Sequence, residues 1–463
     1  MVGLRSLTIH GYRGFAEPEC VRFALPDGNY GSGLTIIVGP NNAGKSTVIE
    51  SIHAIAASGL PTFGEGKRNR RAGDRVQLTV ENTDGQKKML TSVARGGSGT
   101  QWTDANVGPE RSRFLVLPSR RSFSPMFGEG RHDRHSYMRD FALPATRGTV
   151  PNFSARLFTI QDKRTEFDEI LRRVIDPVPD WYIDQYESGQ HYLKVRSGDA
   201  HHNSDGLGDG LVSAMFIVDA LYDSAPGDII AFDEPELSLH PTLQRRLSQV
   251  LADFAKDRQI IYATHSPYFI NWEAILSGGS IVRVKKTDHR SIVAHFSDAS
   301  RSAIAGLTKD LNNPHVLGLD ASEVFFIDDG VILVEGQEDV IWYRKILEQL
   351  QCDLPGTFFG WGVGGAGKMG VIAQMLHDLG FERVVGILDR NQSALKDELS
   401  AQFPSYRFEV IPAEDVRTKP ARPGKGAVEG LLDEKMVLRE ECRASVTAMF
   451  DRITGALEGS ESR

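Results

Sequence analysis

The stretch "GLTIIVGPNNAGKSTVIESIHAIAAS" (residues 33–58) constrains this chain more than any other. An apolar run, a glycine-rich turn and a helix with apolar residues at helical spacing follow one another directly. Within it, Gly39 to Ser46 reads G-x-x-x-x-G-K-S. Gly39 and Gly44 let the backbone N–H groups of the loop, with Asn41 and Asn42 between them, curl around a β-phosphate. The N-terminus of the helix that carries Thr47 adds its positive end. Lys45 then reaches the β- and γ-phosphates, and the Ser46 hydroxyl ligates Mg²⁺. A nucleoside triphosphate is the expected ligand.

Downstream, "DIIAFDEPELSLHP" (228–241) is an apolar strand that delivers Asp233 and Glu234 at its end. Asp233 suits a magnesium partner, and Glu234 suits the base that polarises an attacking water. "IYATHSP" (261–267) places His265 at the end of the next strand. Upstream, "SDGLGDGLVS" (204–213) opens a helix whose N-terminal amides, around Gly208, Asp209 and Gly210, suit a γ-phosphate.

In this order the pieces resemble the ABC-type ATPase head shared by structural-maintenance and recombination-repair ATPases and by the OLD (overcoming lysogenization defect) family. Lys45 and Ser46 match the Walker A pair, Asp233 and Glu234 the Walker B pair, and His265 the switch histidine. "GLGDG" sits at the signature motif, with Gly208 where the usual serine would stand. "PELSLHP" matches the segment that faces a second subunit. The resemblance implies nucleotide held between two heads, hence a dimer or a dimer of dimers.

A second block starts near Phe326. "LVEGQED" (333–339) ends an apolar strand in Glu335, with Asp339 four residues on, and "FERVVGILDRNQSA" (381–394) ends another in Asp389. By themselves these are ordinary strand-end and helix-cap carboxylates. Two parallel strands ending in carboxylates place them on one carboxyl edge, where such sheets keep their sites. Paired oxygens suit Mg²⁺ or Mn²⁺.

Strand, "EG", helix, strand, "D-x-D" resembles the TOPRIM domain of topoisomerases, primases and OLD nucleases. Glu335, Asp339 and Asp389 match its acids, and Asn391 stands where the second aspartate belongs. An amide oxygen can still ligate a hard cation, but without charge. Glu409, Glu414, Asp415 and Glu429 are the candidates to compensate. The resemblance also implies a late lysine near the scissile phosphate, either Lys425 or Lys419. "GWGVGGAGKMGVIAQML" (360–376) reads as a structural turn, with Lys368 a possible phosphate contact.

The expected architecture is α/β: an ABC-type head over 1–325, with an inserted helical and loop region at about 60–205, and a smaller Rossmann-like TOPRIM domain over 326–463. Residues 156–177 read as one helix ended by Pro177. The expected function is that of an OLD-type, ATP-dependent and metal-dependent endonuclease acting on double-stranded DNA in defence against phage, alone or beside a second protein. Two alternatives stay open: an ATPase sensor with a weakened TOPRIM domain, and a RecF-like repair ATPase that does not cut.

Composition bears on what is excluded. A formal net charge of −8 over 463 residues argues against a uniformly basic coat, though "GEGKRNRR" (64–71) and the basic loop at 119–135 remain local DNA candidates, with an ATP-sensing arginine or a solvated loop as the alternative for each. Cys20, Cys352 and Cys442 have no paired spacing, so neither a disulfide framework nor a cysteine-rich zinc site is expected. His132, His135, His201 and His202 follow no metal spacing either. No apolar run approaches the roughly 18–20 residues of a membrane helix, so no membrane partner and a cytoplasmic location are expected.

Overall fold

All five residues of the strand Leu34–Val38 are buried, as a strand covered on both faces must be. It lies inside a six-stranded sheet with the order Ser291–His295, Ser280–Lys286, Leu34–Val38, Gln259–Ala263, Ile229–Asp233, Phe114–Leu117. Every neighbouring pair is parallel except the first, which is an antiparallel hairpin. The strand leading to His265 therefore sits between the P-loop strand and the strand ending in Asp233.

The computed structural model describes residues 3–57, 59–73, 75–93, 97–103, 114–119, 121, 128–134, 136–137, 153–197, 200–203, 208–287, 289–307, 313–327, 330–421 and 426–458. It divides into two compact units, Met1–His295 and Phe296–Arg463. In the first unit a second sheet is antiparallel, ordered Glu19–Arg22, Leu4–His10, Gln77–Asn82, Lys87–Ser92, Thr100–Trp102. Leu7, Ile9 and Val80 from that sheet share one core with Ile49 and Ile52 of the P-loop helix (Lys45–Ala56) and with Ile37 and Ala263. Buried Gln259 staples the layers, accepting from the Leu4 N–H at 2.7 Å and donating to the carbonyls of Leu4 and Ala24. A buried amide is tolerated when its bonds are made.

The expected single helix over 156–177 is two helices, Phe153–Asp162 and Arg164–Val174, broken at Lys163. The break lets each piece bury its own face. The first carries buried Arg156, which bonds Asp219 and both carboxylate oxygens of Asp223 at 2.8 Å. The second buries Phe167, Leu171 and Val174.

The second unit has a four-stranded, all-parallel sheet ordered Gly356–Phe358, Gly330–Val334, Val384–Leu388, Arg407–Val410. Val334 lies opposite Ile387, so the residues that follow them emerge side by side at the same edge. The unit starts at Phe296, earlier than the expected 326. The reason is local: Ser297 and Ser300 both donate to Asp378 Oδ2 and tie the helix Asp298–Leu307 to the helix Met369–Asp378. Among the described residues no helix is long and apolar enough to cross a membrane.

Candidate functional site

The P-loop is tied together by its own lysine. Lys45 is buried, and its Nζ donates to the carbonyls of Gly39 (2.8 Å) and Pro40 (2.9 Å). Burial pulls its pKa down to about 8 against the pull of Glu234 and Asp233. Gly39 has φ 136° and leaves no room for a side chain, because an added Cβ would lie 2.0 Å from the Val284 carbonyl oxygen. Asn42 and Gly44 also take positive φ, at 60° and 120°, while Asn41 is exposed and Thr47 is buried in the helix's first turn.

Tertiary folding brings the expected acids to this loop. The Ser46 hydroxyl donates to Asp233 Oδ1 at 3.1 Å, across 187 residues of sequence. Burial, and then Glu234, push the Asp233 carboxyl up to about 6. Glu234 Oε1 lies 3.5 Å from His265 Nε2, and burial lowers the His265 pKa. Gly208 precedes the helix Asp209–Leu221; Gly208 and Asp209 are exposed and Gly210 is half-buried.

Two groups here escaped sequence reasoning. Glu236 accepts the His265 N–H at 2.6 Å, and burial pushes its carboxyl up to about 7. Arg121 belongs to the basic run read as a DNA or ATP contact, yet it is buried and turned inward. It donates to the carbonyls of Pro118, Asp233 and Glu234 and twice to Ser213 Oγ. No residue pattern around "PSRR" signals that inward turn.

At the carboxyl edge of the second sheet, Glu335, Asp339, Asp389, Asp415 and Lys419 line one open cleft of about 440 Å³ with His315, Gly364 and Gly365. Glu335 Oε1 accepts the Asp389 N–H at 3.0 Å. Asp339 Oδ2 accepts the Gly336 N–H at 2.8 Å, so this acid also caps its helix. Burial, then Glu335, Asp339 and Asp415, push the Asp389 carboxyl up to about 8, and burial pushes Asp339 up to about 6. Lys419 pairs with Asp415.

Asn391 is not among the cleft residues. It sits exposed on the turn Arg390–Gln392, two residues after Asp389, while Asp415 brings a further acid to the cleft lining. Of the other compensating candidates, Glu409 is held by Arg407 and Arg452, Glu429 pairs with Arg439, and Glu414 is exposed. Lys425 lies outside the described residues.

The glycine-rich turn is built into the edge. Gly365 N–H donates to the Glu335 carbonyl at 2.7 Å, and Gly362, at φ 80°, leaves a would-be Cβ 2.7 Å from the Gly336 carbonyl. Gly362→Ala is expected to lower stability by about 2 kcal/mol, roughly 4–8 °C in a melt followed by circular dichroism. An unchanged midpoint would mean the turn relaxes freely.

With this geometry in place, the comparisons with known proteins are direct. Residues 6–129 match an AAA domain, and residues 100–271 match the family described as "AAA domain, putative AbiEii toxin, Type IV TA system". The chain is 32% identical over 402 residues to the OLD nuclease of Thermus scotoductus, covering 69% of this chain and 71% of that protein. The chain belongs to the OLD nuclease family. This OLD-family chain is also 21% identical over 279 residues to Septu protein PtuA of Bacillus thuringiensis, covering 53% of the chain and 69% of PtuA. A solved Smc head domain with an extended coiled coil, from Pyrococcus furiosus, superposes with a TM-score of 0.42 at 11% identity, over 67% of this chain and 100% of that one. Lys45 and Ser46 fall in one AAA match; Asp233, Glu234 and His265 fall in the other. The OLD-family head is an ATPase domain.

The OLD resemblance implies divalent cations, and both donor sets suit them. Ser46 and Asp233 offer a hydroxyl beside a carboxylate. The second cleft is lined by five acidic residues, of which Glu338 pairs with Arg417, against the one ammonium of Lys419, an excess of hard anionic oxygen that a divalent ion offsets. Among the described residues no three acidic, histidine or cysteine side chains already converge on one point as a finished cage.

Proposed function

We propose that this chain is an ATP-hydrolysing, metal-dependent DNA endonuclease of the OLD type whose second unit is a TOPRIM domain. The observation that carries the reading is the gathering of Glu335, Asp339, Asp389 and Asp415 with Lys419 at one carboxyl edge, in a chain whose first unit holds an ATPase site. A bound Mg²⁺ or Mn²⁺ would supply an acidified water and offset charge on the phosphodiester. Glu335 and Asp389 would hold that ion, Asp339 would support it while capping its helix, and Lys419 would face the non-bridging oxygens.

In the head, Lys45 contacts the β- and γ-phosphates, Ser46 and Asp233 hold magnesium, Glu234 polarises water and His265 reads the γ-phosphate. The start of the helix at Gly208–Gly210, exposed at Gly208 and Asp209, serves a second copy, giving a dimer or a dimer of dimers. Arg13, Arg68, Arg70, Arg71, Lys286 and His289 line an open cleft of about 520 Å³ in the first unit, which suits duplex phosphates. Defence against phage, alone or with a second protein, is the role the family resemblance supports.

The test incubates the full chain with supercoiled plasmid and Mg²⁺ or Mn²⁺, with and without ATP, beside Glu335→Ala. Nicked or linear product that the variant fails to make is expected. An intact plasmid in every lane, with ATP still hydrolysed, would transfer the reading to an ATPase sensor acting through a partner.

A further inference from the structure

Glu234 is not a glycine, yet its φ is 47°. A residue with a Cβ leaves this left-handed region unless its surroundings hold it there. Three bonds hold it. Its N–H donates to the Ala263 carbonyl at 2.8 Å, and its own carbonyl accepts from the Leu237 N–H at 3.2 Å and from Arg121 Nη2 at 3.1 Å. Arg121 Nη1 takes the preceding carbonyl, that of Asp233, at 3.1 Å. One guanidinium thus grips both peptide oxygens that flank the turn.

The same guanidinium reaches the neighbouring element. Its Nε and Nη2 donate to Ser213 Oγ at 3.1 and 2.9 Å, near the start of the helix Asp209–Leu221. A second tether runs alongside. Ser238, another left-handed non-glycine at φ 67°, lies so close to Gly210 that a Cβ there would sit 2.6 Å from the Ser238 carbonyl oxygen. The acidic loop from Asp233 to Ser238 is therefore braced at both of its left-handed residues, at its start by Arg121, which is itself bonded to Ser213, and at its end by Gly210. None of these bonds involves the P-loop.

We propose that Arg121 is a positioning residue for ATP hydrolysis, fixing the backbone at Glu234 and tying it through Ser213 to the helix that starts at Asp209. The inference rests on the reading of Glu234 as the group that polarises water. A planar, five-donor guanidinium suits a site made of several carbonyls and one hydroxyl, and an ammonium with three donors fills only part of it. Arg121 itself touches neither Lys45 nor the phosphate loop in its hydrogen bonds, so it acts through Glu234 rather than on the nucleotide.

The experiment measures steady-state ATP hydrolysis and the Kd of a fluorescent ATP analogue for the full chain. Arg121→Gln is expected to lower kcat about 10- to 100-fold, the cost of a misplaced catalytic group, with Kd unchanged. Arg121→Lys recovers part of the loss. In a Glu234→Gln background, already slow, Arg121→Gln removes nothing further, because the group it positions is gone. If Arg121→Gln does not fold, Ser213→Ala replaces it in the same comparison, with a loss of about 3- to 10-fold in the native background only. Equal losses in both backgrounds, or a fall in kcat accompanied by a rise in Kd, would overturn the proposal in favour of simple packing. Full turnover by Glu234→Gln alone would instead sink the reading of Glu234 on which it rests.

Discussion

Replacing Lys45 by alanine is expected to lower ATP turnover by about 10²- to 10³-fold, the usual cost of removing one charged donor from a reacting phosphate. Lys45 is the buried cation of the loop, and its Nζ is held on the Gly39 and Pro40 carbonyls. A triphosphate in the loop gives that ammonium a far better partner than two neutral oxygens. The same change has a proton signature. Burial lowers the Lys45 pKa from 10.5 to about 8, so the folded, nucleotide-free protein binds this proton less tightly than the unfolded chain does. Its contribution to stability therefore rises with pH between about 8 and 10.5. Bound phosphate pulls the pKa back up, so ATP binding near pH 8.5 takes up a proton. Calorimetry in two buffers of different ionisation enthalpy should show that uptake, and Lys45→Ala should lack it. A variant that keeps a tenth of native turnover would remove Lys45 from its assigned role.

Asp389→Asn should show two opposite effects. Plasmid cleavage is expected to fall about 10²- to 10³-fold, since a neutral amide cannot replace a charged oxygen opposite a metal. The metal-free protein should become more stable. The Asp389 carboxyl is raised from 3.8 to about 8, chiefly by burial and then by Glu335, Asp339 and Asp415. The folded state holds a proton that the unfolded chain has lost, so native stability declines as pH climbs from about 4 to about 8. Asparagine has no such slope. Solvent screening at this half-exposed edge leaves a gain on the order of 1–2 kcal/mol at pH 8, about 3–6 °C, shrinking toward pH 5. Melts in chelator at both pH values check the sign. Equal midpoints at pH 8 would mean that the acids do not repel one another in the free protein.

Much of this molecule could be read along the chain. Leu34–Val38 followed by Gly39–Ser46, and the apolar strands before Asp233, Glu335 and Asp389, are contiguous patterns in which strand, turn and functional side chain lie within a few residues of one another. Local chemistry dictates such units: a phosphate loop needs its glycines in place, and a fully buried parallel strand needs an unbroken apolar run. The sequence by itself therefore determined the two α/β blocks and the acids at their strand ends.

The tertiary structure decided what depends on direction and depth. Arg121 looked like part of a basic surface run but points inward, because two of the three carbonyls it satisfies come from residues more than a hundred positions away. Asn391 and Asp415 were both candidates near the second edge, and only packing placed the second in the cleft lining and left the first exposed beside it. The start of the second unit at Phe296 follows from two serine hydroxyls that meet Asp378, about eighty residues on. In each case the deciding partner is remote in sequence. A side chain's type limits which bonds it can form, and only the folded neighbours determine which of them it makes.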